Sequence, residues 1–139
     1  MQLSLVEKQV IVDFLVQELD PLLIYLYGSY AKGKARPNSD VDLAFYANQQ
    51  SDPYEIFLLA NQLAMQLRKD VDLVDLRTAS TVFRAQVIST GELLLCSDRF
   101  FKENYEIRVL KEYTKLNEER KEILEAIREE GSIYGRDSQ

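Results

Sequence analysis

A Gly-Ser pair and two aspartates that follow it are the residues of this chain whose types and spacing could do chemistry. Gly28-Ser29 follows the apolar segment 22–27, and ten residues separate Ser29 from Asp40, with Asp42 two positions further on. Glycine lets the backbone approach a ligand closely, so the turn can direct N–H groups and a hydroxyl at phosphate oxygens. Residues two apart in a strand share one face, so the aspartates converge. Their hard oxygens suit Mg²⁺, and the pattern predicts nucleotidyl transfer.

The loop between the Gly-Ser pair and the aspartates is locally basic. It contains three cations and no acidic residue, although the whole chain has a formal net charge of −6. A chain this acidic lacks the broad basic surface that binds nucleic acid, whereas a small basic cluster suits a triphosphate. We therefore predict no direct nucleic-acid binding, and we predict nucleotide binding by Gly28, Ser29, Lys32, Lys34, Arg36 and Ser39.

The residues that are missing exclude several kinds of chemistry. Histidine is absent and Cys96 is the only cysteine. These absences exclude a histidine acid–base relay, a Cys/His zinc site and an internal disulfide, so carboxylates must carry the chemistry. No apolar run approaches the roughly 18 residues of a membrane span, and the N-terminus lacks a signal-peptide pattern. We expect a cytoplasmic protein with no membrane association.

Alternating helices and strands are predicted to position the candidate site. Ser4 and Glu7 form a capping box before the first helix, and Asp52-Pro53 supplies an N-cap and a first helical residue for another. Hydrophobic periodicity gives the remaining elements. In chain order we predict a helix over 4–19, strands over 22–27 and 40–46, a helix from 53 with the stripe Ile56, Leu59, Leu63 and Leu67, a strand over 71–76, a helix over 80–90 and a strand over 92–96.

The segment 99–130 is highly charged and carries apolar residues at helical spacing. We predict one long helix, or two helices with a break near Asn117. Its first half should pack on the sheet, whereas the part beyond Leu116 should bind a partner, because a protruding amphipathic helix needs a cover. At 139 residues the chain fits a single domain. We divide it into a core over 1–98, this helical segment and a flexible tail over 131–139.

The Gly-Ser pair, the ten-residue gap and the Asp-x-Asp motif resemble the signature of the DNA polymerase beta-like nucleotidyltransferase superfamily. The small size resembles its minimal members, the minimal nucleotidyltransferase (MNT) antitoxins that pair with HEPN toxins. The pattern extends over residues 22–96 and is strongest over 27–43. The resemblance implies an α+β nucleotidyltransferase fold, a small mixed β-sheet flanked by helices, with a long C-terminal helical segment. One departure is Tyr30, where many relatives carry an arginine, so the details of phosphate contact stay open.

The resemblance also implies a third carboxylate on a later strand, for which Asp72 and Asp75 are the candidates. Residues three apart in a strand point to opposite faces, so at most one of them joins the site. We match Asp72 to this position and interpret Asp75 as a solvated or capping residue, although the sequence leaves the choice open. Asp40, Asp42 and Asp72 would then be the catalytic residues and the ligands of two Mg²⁺ ions, and Asp72 could also act as a general base.

The function implied by the resemblance is that of a protein adenylyltransferase acting as an antitoxin. It would transfer AMP from ATP to a hydroxyl, expected to be a tyrosine, of a HEPN ribonuclease toxin and so neutralise it. Larger superfamily members add a helical acceptor-binding region, and here a partner in a hetero-oligomer would complete the acceptor site. Two alternatives stay open, a small-molecule (aminoglycoside-like) nucleotidyltransferase and a binding-only antitoxin. The base preference, the acceptor residue, the number of transfers and the stoichiometry stay open too.

Overall fold

The computed structural model describes residues 1–137, with side chains described as far as Glu130. Every predicted helix and strand is present, and those before residue 99 begin or end within one residue of the prediction. The loop after the first strand adds a short helix. In chain order the elements are α1 (Leu5–Leu19), β1 (Leu23–Tyr27), α2 (Gly28–Ala31), β2 (Val41–Tyr46), α3 (Pro53–Leu67), β3 (Val71–Asp75), α4 (Thr81–Thr90), β4 (Glu92–Cys96) and α5 (Arg99–Asp137).

The four strands form one mixed sheet in the order β3-β2-β1-β4. β1 pairs antiparallel with both β2 and β4, whereas β2 and β3 run parallel and are joined through α3. A parallel pair needs a crossover connection, and α3 supplies it. The architecture confirms the predicted α+β class, with a small mixed sheet flanked by helices.

Helices cover the sheet in two layers, because successive strand residues point to opposite faces. One face, called here the α1–α3 face, buries Leu26, Leu43 and Leu73 against those two helices. The other, the α4–α5 face, buries Tyr25 and Ala44 against α4 and the first half of α5. The candidate site lies on this same face, on strand residues beyond its buried part.

The predicted helix starts are confirmed by their hydrogen bonds. Ser4 and Glu7 form both bonds of the capping box, each 3.0 Å long. The carboxylate of Asp52 accepts the Tyr54 N–H at the start of α3. The predicted α3 stripe does face the core, with Leu63 and Leu67 buried and Ile56 and Leu59 partly buried.

The C-terminal segment is one continuous helix, without a break near Asn117. Its first half packs as predicted, because Tyr105 and Val109 are fully buried against the α4–α5 face. α5 continues past Gly131 to Asp137, and the last two residues lie outside the described part of the chain. The flexible tail over 131–139 stays a prediction. No helix within the described residues is long and apolar enough to cross a membrane.

Candidate active site

Three side chains form a row across the α4–α5 face, at the end of the sheet where β1 ends and β2 and β3 begin. In the strand register, Tyr27 of β1 lies opposite Asp42 of β2, and Asp42 lies opposite Asp72 of β3. Neighbouring strands are about 4.8 Å apart, so the two carboxylates are direct neighbours. Asp40 precedes β2 and is exposed, and its charge acts on Asp42. The structure therefore brings the three predicted carboxylates to one corner of the sheet.

The electrostatic focus of this corner is Asp42. Its pKa is raised to about 6, first by burial, then by the negative charge of Asp72 and finally by that of Asp40. Burial and neighbouring like charges both disfavour the ionised form. A cation placed among these carboxylates would remove that penalty, which makes the corner a favourable place for a divalent metal.

Gly28 is required by two independent features of the local geometry. Its φ of +73° lies in the left-handed region that side chains disfavour. A Cβ atom at this position would also overlap Oδ2 of Asp42 and come within 3.1 Å of its Cγ. Gly28 opens α2, and Tyr27 at the N-cap position provides no side-chain hydrogen bond to the first amides. These amides therefore lie beside the carboxylates without a side-chain acceptor, as a phosphate cradle requires.

The basic loop is closed by hydrogen bonds between its own residues. The Lys34 N–H donates to the Ser29 carbonyl at 2.9 Å, and the Ser39 hydroxyl accepts the Arg36 N–H at 2.8 Å. The side chains of the three cations, Lys32 included, are exposed and adjoin the Gly-Ser turn. Ser39 thus shapes the loop, and its nucleotide-binding role stays a prediction, as does that of the cations.

Tyr30, at the position where the resemblance led us to expect an arginine, is a core residue. Its side chain is 3% exposed and belongs to the cluster of the α1–α3 face. Among the described residues, the one hydrogen-bond partner of its hydroxyl is the Met1 sulfur, at 4.0 Å. A phosphate contact from the Tyr30 side chain is therefore not expected, and phosphate contacts from Gly28, Ser29 and the loop stay a prediction.

Neutralising the loop cations should weaken nucleotide binding in a salt-dependent way. In a variant with Lys32, Lys34 and Arg36 replaced by glutamine, we expect about tenfold weaker binding of ATP at low salt, and less difference at high salt, because exposed charges are screened. Isothermal titration calorimetry at two ionic strengths measures this. Unchanged affinity at low salt would make the three cations ordinary surface residues.

Asp75, the alternative third carboxylate, does not reach the row. It lies on the opposite face of β3 from Asp72 and is only 4% exposed. Its carboxylate accepts the Arg77 N–H at 2.9 Å and the Ser51 N–H at 3.5 Å. The interpretation as a solvated residue is therefore wrong, and the capping interpretation agrees with these bonds. Asp72, in contrast, is exposed at the end of the row.

The two aspartates of β3 should separate catalysis from stability. Asp72→Asn should reduce transfer by at least about a hundredfold while nucleotide affinity stays within about threefold, because it removes a charge at the reacting atoms. Asp75→Asn should lower the melting temperature but keep turnover per folded molecule. The substitution replaces one carboxylate oxygen, which accepts hydrogen bonds from N–H groups, by an amide NH₂ group that cannot accept them. Steady-state kinetics and thermal unfolding test both variants. A catalytically dead but stable Asp75→Asn would contradict this assignment.

The donor set fits magnesium only if the substrate contributes ligands. Within the described residues, no group of three or more acidic, cysteine or histidine side chains forms a preassembled metal cage. Mg²⁺ is usually held by one or two carboxylates together with phosphates and water, rather than by an all-protein cage. The oxygen-only chemistry, the raised pKa of Asp42 and the cradle at Gly28 all agree with that mode of binding.

One residue of the row was missed by the sequence analysis. The Tyr27 hydroxyl donates to Oδ2 of Asp72 at 3.3 Å, and its ring packs edge-on against Phe83 with the centroids 5.2 Å apart. The only sequence signal was its position directly before Gly28, two residues after the inward-facing Tyr25. The contact itself depends on the pairing of three strands, which the local pattern does not contain.

A left-handed glycine beside a corner of carboxylates on an α+β sheet is the arrangement expected of a nucleotidyltransferase. Comparison with known proteins agrees: residues 9–100 match the polymerase beta nucleotidyltransferase family. This match covers more than half of the chain. The chain belongs to the polymerase beta nucleotidyltransferase family.

Individual relatives and solved structures give a more specific comparison than the family does. The chain is 40% identical over 105 residues to the protein adenylyltransferase MntA of Shewanella oneidensis, covering 76% of this chain and 75% of MntA. It is similar to a crystal structure of a toxin–antitoxin with AMP-PNP, with a TM-score of 0.79, 36% identity and coverage of 86% of this chain and 97% of that one. A second structure is a tri-AMPylated S. oneidensis HEPN toxin in complex with its MNT antitoxin, with a TM-score of 0.74, 33% identity and coverage of 88% and 96%. The chain is therefore homologous to a protein adenylyltransferase antitoxin.

Proposed function

We propose that this protein is the antitoxin of a HEPN/MNT toxin–antitoxin pair and acts as a protein adenylyltransferase. It transfers AMP from ATP to a tyrosine hydroxyl of its HEPN toxin and releases pyrophosphate. The observation that carries this proposal is the juxtaposition of Gly28 with the carboxylates of Asp42 and Asp72 in a chain homologous to MntA. The relatives, an adenylyltransferase and toxin complexes, favour a protein acceptor over an aminoglycoside-like small molecule.

The site residues divide the reaction between them. The first amides of α2 and the Ser29 hydroxyl hold the outer phosphates, and the exposed loop cations attract them. Magnesium, two ions of which would be held by Asp40, Asp42 and Asp72 together with the phosphates, would neutralise charge and lower the pKa of the acceptor hydroxyl. The acceptor oxygen forms a bond to the α-phosphorus as the bond to the pyrophosphate oxygen breaks. Asp72, at the exposed end of the row, takes the proton.

The complete site also argues against a binding-only antitoxin. Keeping Asp42 ionised beside two other carboxylates is costly, as its raised pKa indicates. The exclusion of any side chain at Gly28 is a further constraint that a vestigial site would not need. These costs are understandable if the corner binds a metal–nucleotide complex.

The second half of α5 is the surface we propose for the toxin. Residues 117–130 are all exposed, and among them Ile123, Leu124 and Ile127 have about 60% of their surface in contact with solvent. An exposed apolar stripe of this kind favours a protein partner. We accordingly assign residues 1–98 to the nucleotidyltransferase core and 99–130 to a helical segment that packs on the core first and on the partner after Leu116.

Truncation after Leu116 should separate binding from chemistry. The buried anchors of α5, Tyr105 and Val109, remain in the truncated chain, so the core should stay folded. We expect association with the toxin to weaken by at least about tenfold, because the apolar stripe is lost, while ATP affinity is unchanged. Calorimetry measures the ATP affinity, and size-exclusion chromatography with the toxin measures the association. Full toxin affinity after truncation would place the interface elsewhere.

A further inference from the structure

We infer that Tyr27 is a positioning residue whose hydroxyl holds the Asp72 carboxylate over the catalytic corner. The inference rests on the proposed function, because it concerns the third carboxylate of that reaction. It assigns a role to a side chain that is neither in the Gly-Ser motif nor in the Asp-x-Asp motif.

The hydrogen bond spans an entire strand. Tyr27 and Asp72 belong to β1 and β3, with Asp42 of β2 between them. Two strand spacings amount to about 9.6 Å between the backbones, a distance that a long tyrosine side chain reaching towards an aspartate can cover. The hydroxyl therefore lies over Asp42 and donates to Oδ2 of Asp72 at 3.3 Å.

Asp72 needs such a contact to face the site. It is exposed and lies on the edge strand of the sheet. Among the described residues, the Tyr27 hydroxyl is the single hydrogen-bond donor to its carboxylate, and no cation forms an ion pair with it. Asp42 lies directly opposite it in the strand register, so the two like charges repel each other. Without a donor on the inner side, the carboxylate would turn towards solvent, where hydration favours it.

The tyrosine itself is held in place. Its ring is half-buried and packs at 88° to the ring of Phe83 on α4. A tyrosine hydroxyl is protonated at neutral pH, so it remains a donor to the Asp72 carboxylate. A rigid donor of this kind fixes the rotamer of a metal-binding carboxylate, as partners behind the metal ligands do in metalloenzymes.

Tyr27→Phe removes the hydroxyl and keeps the ring against Phe83. Tyr30→Phe is the matched control, because it removes a buried tyrosine hydroxyl three residues away whose one hydrogen-bond partner among the described residues is the Met1 sulfur. We expect Tyr27→Phe to lower kcat about tenfold with the KM for ATP within about twofold, because Asp72 acts on the acceptor rather than on the triphosphate. Calorimetric titration with Mn²⁺ of the protein saturated with a non-hydrolysable ATP analogue, which supplies the phosphate ligands, should show about tenfold weaker binding. Tyr30→Phe should match the wild type in both.

Three results would overturn the inference. The first is wild-type kcat and Mn²⁺ affinity in Tyr27→Phe. The second is an equal loss in Tyr30→Phe. The third is a fall in melting temperature that accounts for the lost activity at unchanged Mn²⁺ affinity, which would make the hydroxyl merely structural. If the wild type binds Mn²⁺ but transfers no AMP, the proposed reaction fails, and the Mn²⁺ comparison still decides the role of Tyr27.

Discussion

Asp42→Asn should abolish AMP transfer and at the same time stabilise the free protein near neutral pH. The substitution removes the central carboxylate of the row, and we expect a loss of at least about a hundredfold in kcat, the scale of several kcal/mol of charge stabilisation. Asp40→Asn should also lose transfer. Its stabilising effect should be smaller, because Asp40 is the weakest of the three causes that raise the pKa of Asp42.

The sign of the stability effect follows from the raised pKa of Asp42. The folded chain holds the Asp42 proton up to about pH 6, whereas an unfolded aspartate releases it near pH 3.9. The folded state therefore binds more protons between these values, and its stability falls as the pH rises through them. Asparagine does not titrate, so the Asp42→Asn variant does not lose this stability as the pH rises.

Thermal unfolding of both proteins without metal tests the sign. The melting temperature of Asp42→Asn should exceed that of the wild type by on the order of a few degrees at about pH 7 and equal it at about pH 3, where both side chains are neutral in both states. Asp13→Asn, an exposed substitution on α1, is the control, and its melting temperature should equal that of the wild type at both pH values. Retention of wild-type turnover with Mg²⁺ by Asp42→Asn would remove the basis of the metal assignment.

Gly28→Ala should be as damaging as the loss of a carboxylate, for a steric reason. An alanine must adopt a positive φ, and its methyl group must occupy the space of the Asp42 carboxylate. Either the Asp42 side chain moves away from the corner or α2 shifts and carries its amides out of line. We expect a loss of at least about a hundredfold in transfer, because misplaced catalytic groups are this costly.

Gly33→Ala is the matched control for that prediction. Gly33 has nearly the same φ, +70°, but the nearest atom to an added Cβ is Nε2 of Gln2 at 3.9 Å. The control therefore carries the backbone strain, about 1 kcal/mol, without the overlap with Asp42. Kinetics should show near-normal turnover in Gly33→Ala. Equal losses in the two variants would mean that strain alone, and not the contact with Asp42, explains Gly28.

The sequence predicted the parts of this site that depend on local pattern. Strand alternation predicted that Asp40, just before β2, and Asp42, within it, lie on one side, and the opposite directions of Asp72 and Asp75 on β3 followed from the same rule. The sequence could not show that β3 pairs parallel to β2 with Asp72 beside Asp42. It missed Tyr27 for the same reason, since its contact needs three strands in register.

The sequence also failed to predict the burial of Asp75 and the length of α5. Asp75 follows a strand and looks solvent-exposed, yet the turn after β3 closes over its carboxylate with backbone N–H groups. Gly131 is a common helix terminator, but α5 extends past it. Helix ends depend on cooperative propagation from an established helix as well as on the terminal residue, so a single glycine does not fix the end.

Mass spectrometry of the HEPN toxin after co-expression with this protein tests the central claim most directly. We predict an added adenylyl group on a tyrosine of the toxin with the wild-type chain, and an unmodified toxin with Asp42→Asn at equal expression. Loss of neutralisation in the variant should accompany the loss of the modification. A toxin that is never modified, yet is still neutralised by the Asp42→Asn chain, would contradict the account and make binding alone the mechanism.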